Sequence, residues 1–136
     1  MKFKFLEHTA DIKFRAFGKT LGEAFDNSAL AVVDYLSRGE KISSNKKRVM
    51  NVKGKDEKSL LYNFLDEIIY LLDAKNFVVS HTKVKLSKDK KSLKAEAFGD
   101  DSQKYDDLDH IKAATYAEME IKKVPSGWRI QAVMDV

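Results

Sequence analysis

An apolar stripe at helical spacing constrains this chain more than any other feature. Leu60, Leu61, Phe64, Leu65, Ile68, Ile69, Leu71 and Leu72 recur at the spacing that gathers side chains on one face of a helix. Asp56 stands where a cap is needed, so the pattern predicts a helix over roughly 57–74. Asn63, Asp66 and Glu67 interrupt the run, which leaves it far short of a membrane span. Such a stripe has to be buried against other elements. Each large apolar side chain contributes about 1.5–3 kcal/mol on burial, which makes this helix the expected centre of the core.

The remaining segments supply what it packs against. Residues 11–17 alternate, with Ile12, Phe14 and Ala16 on one face and Lys13, Arg15 and Phe17 on the other, the period of a strand. Phe3 and Phe5 suggest a short strand before it. Thr20 followed by Glu23 reads as a capping box opening a first helix, whose stripe runs from Leu21 through Phe25, Ala31 and Val32 to Leu36 and stops at Gly39. Residues 48–53 read as a strand, and 77–86 with 92–98 as a hairpin about Lys88–Lys91. Residues 112–123 and 128–135 flank Pro125-Ser126-Gly127, a good turn because proline fixes φ and glycine permits positive φ. In the last strand Trp128, Ile130, Ala132 and Met134 share a face, opposite Arg129, Gln131, Val133 and Asp135. The order ββαβαββββ predicts an α+β fold, a mainly antiparallel sheet with two packed helices, in one domain covering 1–136.

Composition narrows the chemistry. The absence of cysteine removes disulfides, thiolate zinc sites and cysteine nucleophiles together. The start MKFKFLEH is not a signal peptide, and the expected location is cytoplasmic with no membrane partner. The net charge of +4 is a weak pull toward acidic partners. Its distribution is uneven: lysines crowd residues 46–58 and 83–94, and aspartates crowd 100–109. A solvated lysine surface is the plain reading, because direct RNA binding calls for aromatics and arginines among the lysines.

Familiar catalytic patterns fail on inspection. Phe17-Gly18-Lys19-Thr20 ends like a phosphate-binding loop, but the motif needs a glycine where Lys13 stands, so Thr20 is read as a helix cap. No serine lies in a nucleophile elbow, and His8, His81 and His110 are not at zinc-ligand spacing. Two carboxylates stand out. Asp11 opens an apolar strand, where aspartate is depleted, and Asp135 precedes the α-carboxylate of Val136. If the strands that carry them lie side by side, these groups converge into an oxygen cluster suited to Ca²⁺ or Mg²⁺. The alternative is that Asp11 bonds locally in its turn and Asp135 is solvated. Lys112 opens a strand and by itself reads as surface.

Four segments together resemble the archease family: Phe5-Leu6-Glu7-His8-Thr9-Ala10-Asp11-Ile12 running on to Phe25, Leu60-Leu61 with Phe64-Leu65-Asp66-Glu67, Ile111-Lys112-Ala113-Ala114-Thr115-Tyr116, and Asp135-Val136. They keep the family's order over essentially the whole chain. The resemblance implies a protein that is not itself an enzyme. It would assist an RtcB-type tRNA-splicing RNA ligase, promoting its GTP-dependent guanylylation and its multiple turnover. It implies a metal site on Asp11, Asp135 and Val136 for a divalent cation, Ca²⁺ with Mg²⁺ or Mn²⁺ as alternatives, and a functional lysine at Lys112. Contact with tRNA would be indirect. Some members are linked to tRNA methylation, so a chaperone-like RNA-binding modulator of tRNA modification is the alternative function. This chain departs from many relatives in having Ala117 where they carry histidine, and in lacking proline and glycine over 105–110.

Overall fold

Thr20, in extended backbone, accepts the Glu23 amide on its hydroxyl at 3.1 Å and so opens helix α1 (Leu21–Ser37). The Glu23 carboxylate reaches back to the Lys19 amide at 2.8 Å, one residue before the partner expected of a capping box. The helix ends on Arg38 and Gly39, both in left-handed backbone (φ 55 and 78). Asp56 and Ser59 form a reciprocal box at the start of helix α2 (Glu57–Lys75). Leu60, Leu61, Phe64 and Leu65 of its stripe are fully buried. The structure is a computed structural model, and it describes residues 1–8 and 11–136.

The strands are β1 (Phe3–Leu6), β2 (Ile12–Gly18), β3 (Lys46–Lys53), β4 (Phe77–Leu86), β5 (Ser92–Asp101), β6 (Ala113–Ala114), β7 (Glu120–Val124) and β8 (Gly127–Asp135). All pairings among the described residues are antiparallel. The α+β class is as expected, but the single sheet becomes two. One sheet runs β1-β2-β8-β6, with β7 also on β8; the other runs β3-β5-β4. The helices lie between them: α1 packs on β2 and β4, and α2 on β3, β4 and β6. The cause is visible in α1, where the consecutive residues Ala31, Val32 and Val33 are all buried. Neighbouring residues on a helix point in different directions, so one covering layer cannot bury all three.

The strand expected over 112–123 is split into β6 and β7. From the pair Ala114↔Met134 to the pair Glu120↔Gln131, the chain takes more steps on the β6–β7 side than β8 takes opposite it. The surplus forms a turn in which the Met119 amide donates to the Tyr116 carbonyl at 3.2 Å and Glu118 takes φ 52. The Thr115 amide and hydroxyl both donate to the Val133 carbonyl, at 3.2 and 2.8 Å, and close the turn onto β8. Tyr116 stacks on Tyr62 of α2, with ring centroids 4.4 Å apart, which pins the turn to the helix.

Alternation sorts the faces of the larger sheet. Phe14, Ala16, Ile130, Ala132 and Met134 are fully buried toward the helices. On the opposite face Gln131 and Val133 are buried too, although the alternation of β8 assigns that face to the outside. β8 is paired on both sides, and its neighbours' side chains fold over it. Arg15 Nε donates to Gln131 Oε1 at 3.0 Å, and Gln131 Nε2 donates to the Glu118 carbonyl at 2.8 Å. At the other end of this sheet the Pro125-Ser126-Gly127 turn forms as expected, with Gly127 at φ 137.

Candidate functional site

The ends of three strands meet at one edge of the larger sheet. β2 pairs with β8 so that Ile12, the residue after Asp11, lies opposite Met134, the residue before Asp135. On the other side of β8, Ala113 lies opposite Asp135, and the Lys112 amide donates to the Asp135 carbonyl at 2.8 Å. The three residues singled out in the sequence, Asp11, Lys112 and Asp135, therefore gather at one sheet end. Helix α2 holds the third strand in place, because the Ala114 amide donates to the Asp66 carboxylate at 3.0 Å. Val136 follows Asp135 and packs, half-buried, against the core. The side chains of Lys112 and Asp135 are exposed.

A second set of charges borders Asp11. His8 Nδ1 stands 3.9 Å from the Asp11 carboxylate, and His8 Nε2 stands 3.1 Å from Glu118. Lys13 Nζ donates to Glu118 at 2.9 Å. The Lys13 hydrogen bond, helped by that of His8, holds the Glu118 carboxyl below the usual carboxylate range. Sequence reasoning passes over Glu118, because only the left-handed turn after β6 brings it back over β2. Thr9 and Ala10, part of the motif that precedes Asp11, lie outside the described residues. The other two histidines stay apart from this cluster: His81 is in β4, as its sequence position suggests, and His110 is exposed before β6.

The donor chemistry of Asp11 and Asp135 suits a hard cation, since both offer carboxylate oxygens where adjacent strands end. The donor set is smaller than a full protein cage: among the described residues, no three His, Cys, Asp or Glu side chains are placed to hold a metal ion together. No helix among the described residues is long and apolar enough to cross a membrane.

Two antiparallel sheets enclosing two helices, with an acidic strand end beside a lysine, define a class of small α+β proteins with a polar site at a sheet edge. The sequence model of the Archease protein family (MTH1598/TM1083) matches residues 3–136, and the chain belongs to the archease family. It is 42% identical over 135 residues to the Pyrococcus furiosus protein archease, covering 96% of this chain and 95% of that one. It is 39% identical over 140 residues to the Pyrococcus abyssi protein archease, covering 99% of both. The solution structure of Methanobacterium thermoautotrophicum protein 1598 superposes with a TM-score of 0.79 at 28% identity, over 99% of each chain. A Thermotoga maritima crystal structure described as an archease and possible chaperone shares the fold, with a TM-score of 0.61 at 18% identity over 98% of this chain and 96% of that one.

Proposed function

We propose that this chain is an accessory protein of an RtcB-type tRNA-splicing RNA ligase and acts through the acidic sheet end. The observation that carries the reading is the meeting of Asp11, Asp135 and Lys112 at one edge, built by β2, β8 and β6. Asp11 and Asp135 would hold a divalent cation, Ca²⁺ with Mg²⁺ or Mn²⁺ as alternatives, with a backbone oxygen of Val136 and water completing its shell. The cation would supply positive charge where nucleotide phosphates and ligase carboxylates meet. Lys112, exposed on the same edge, offers a mobile ammonium to a phosphate or an acidic ligase group.

The effect on the ligase is one of positioning. An accessory protein that binds one ligase geometry more tightly than the others raises its population. If that geometry aligns the nucleotide α-phosphate with its nucleophile, guanylylation accelerates without any bond being made by the accessory chain. Sealing of a broken RNA by the matched ligase, with RNA in excess, tests the reading. Addition of this chain is expected to carry the ligase beyond its first turnover. A ligase that turns over equally well without it contradicts the proposal.

A further inference from the structure

We infer that the open face of the β3-β5-β4 sheet is a platform for single-stranded nucleic acid. The helices cover one face of this sheet, where Met50, Val52, Leu93, Ala95 and Ala97 are buried. The register places the other set of side chains on the opposite face: Lys47 and Lys53 of β3, Lys94 and Glu96 of β5, and Lys83 and Lys85 of β4. The lysines there far outnumber the carboxylate. Glu96 pairs with Lys47 at 3.0 Å, and among the described residues Lys53, Lys83, Lys85 and Lys94 have no ion pair. The Lys47 hydrogen bond holds the Glu96 carboxyl below its usual range, with Lys83 and Lys94 adding to the effect.

Two features separate this face from an ordinary solvated surface. Lys85 and Lys94 are direct cross-strand partners. Like charges directly opposite one another weaken a sheet, and a bound polyanion relieves that repulsion. The same face carries an aromatic pair, His81 stacked on Phe98 with centroids 4.8 Å apart and planes 10° from parallel. Lys83 Nζ lies 5.5 Å from the Phe98 ring centre, and its flexible stem lets it move to a phosphate as a base takes the ring. The other open sheet face offers a contrast within the same molecule. There Lys13 pairs with Glu118, and both Lys122 and Arg129 pair with Glu120.

Lysines around an aromatic platform on an open sheet match the chemistry of a single strand, whose phosphates need cations and whose bases need a stacking surface. An acidic protein surface would use the lysines and leave the rings idle. This assignment does not rest on the ligase reading, since it concerns a different sheet.

Fluorescence anisotropy with a short labelled single-stranded RNA tests it. The wild-type protein is expected to bind, with affinity falling as salt rises. The variant Lys85→Gln/Lys94→Gln is expected to bind at least about tenfold more weakly and to flatten the salt slope by about 1.4, two contacts at roughly 0.7 each. Phe98→Leu is expected to weaken binding about tenfold, the size of one lost base stack, with the slope unchanged. His81→Ala provides a second probe of the platform should Phe98→Leu fail to fold. Lys122→Gln/Lys123→Gln on β7 is expected to bind like the wild type. Absence of binding at low salt, or wild-type affinity in the Lys85→Gln/Lys94→Gln variant, overturns the proposal. Equal competition by polyglutamate, with no effect of either ring substitution, overturns it in favour of an acidic protein partner.

Discussion

The hydroxyl of Thr82 on β4 donates to the Asp26 carboxylate on α1 across 2.8 Å, and the Val84 amide donates to the same oxygen at 2.9 Å. These bonds tie the first helix to the smaller sheet. Burial pushes the Asp26 carboxyl up to about 6, outweighing the two hydrogen bonds, and the nearby Glu23 charge adds to the rise.

A pH dependence follows. The folded state binds the Asp26 proton more tightly than the unfolded chain does. The resulting stabilisation is complete below the ordinary value of 3.8 and is lost as pH rises through about 6. Asp26→Asn keeps an oxygen acceptor for Thr82 and Val84 and carries no charge. Thermal melts of the two proteins should show the variant gaining on the wild type as pH rises through about 6.

Phe64 is fully buried in α2 and meets Phe25 of α1 with ring centroids 5.7 Å apart. Phe64→Ala should cost about 3–5 kcal/mol in urea unfolding, through lost burial and the cavity left between the helices.

Gly127 sits at φ 137, and a Cβ there would run into the Gly18 carbonyl and the Lys19 backbone. Gly127→Ala should lower stability by more than ~1 kcal/mol, from strained backbone and steric overlap together. Chemical denaturation measures the loss.

Lys112 contributes to the fold through its amide, while its side chain is exposed. Lys112→Ala should leave unfolding free energy within about 0.5 kcal/mol of the wild type. Stimulation of ligase turnover should fall in the same protein, which separates the role of the ammonium from that of the strand.

Local chemistry makes much of this architecture legible in the sequence. Thr20 and Asp56 cap their helices because short polar side chains satisfy free amides at a helix start, and Gly127 turns the chain where positive φ is needed. Long-range pairing is harder to read. Nothing local tells β3, β4 and β5 to leave the sheet formed by β1, β2 and β8, because that choice depends on helices needing cover on both sides. The break between β6 and β7 is hidden because glutamate, at Glu118, is an uncommon residue for left-handed backbone. The candidate site divides in the same way. Asp11 and Asp135 stand out as carboxylates at strand ends and Lys112 only through the family resemblance, whereas the Glu118 bridge to Lys13 and His8 exists only once the turn closes.

Guanylylation of the matched ligase with radiolabelled GTP, with wild-type protein and with Asp11→Ala, asks whether the acidic sheet end acts on the ligase. Guanylylated ligase is expected to form faster with the wild type, and a folded Asp11→Ala protein is expected to give no stimulation. Equal stimulation by both proteins would contradict a role for the acidic sheet end.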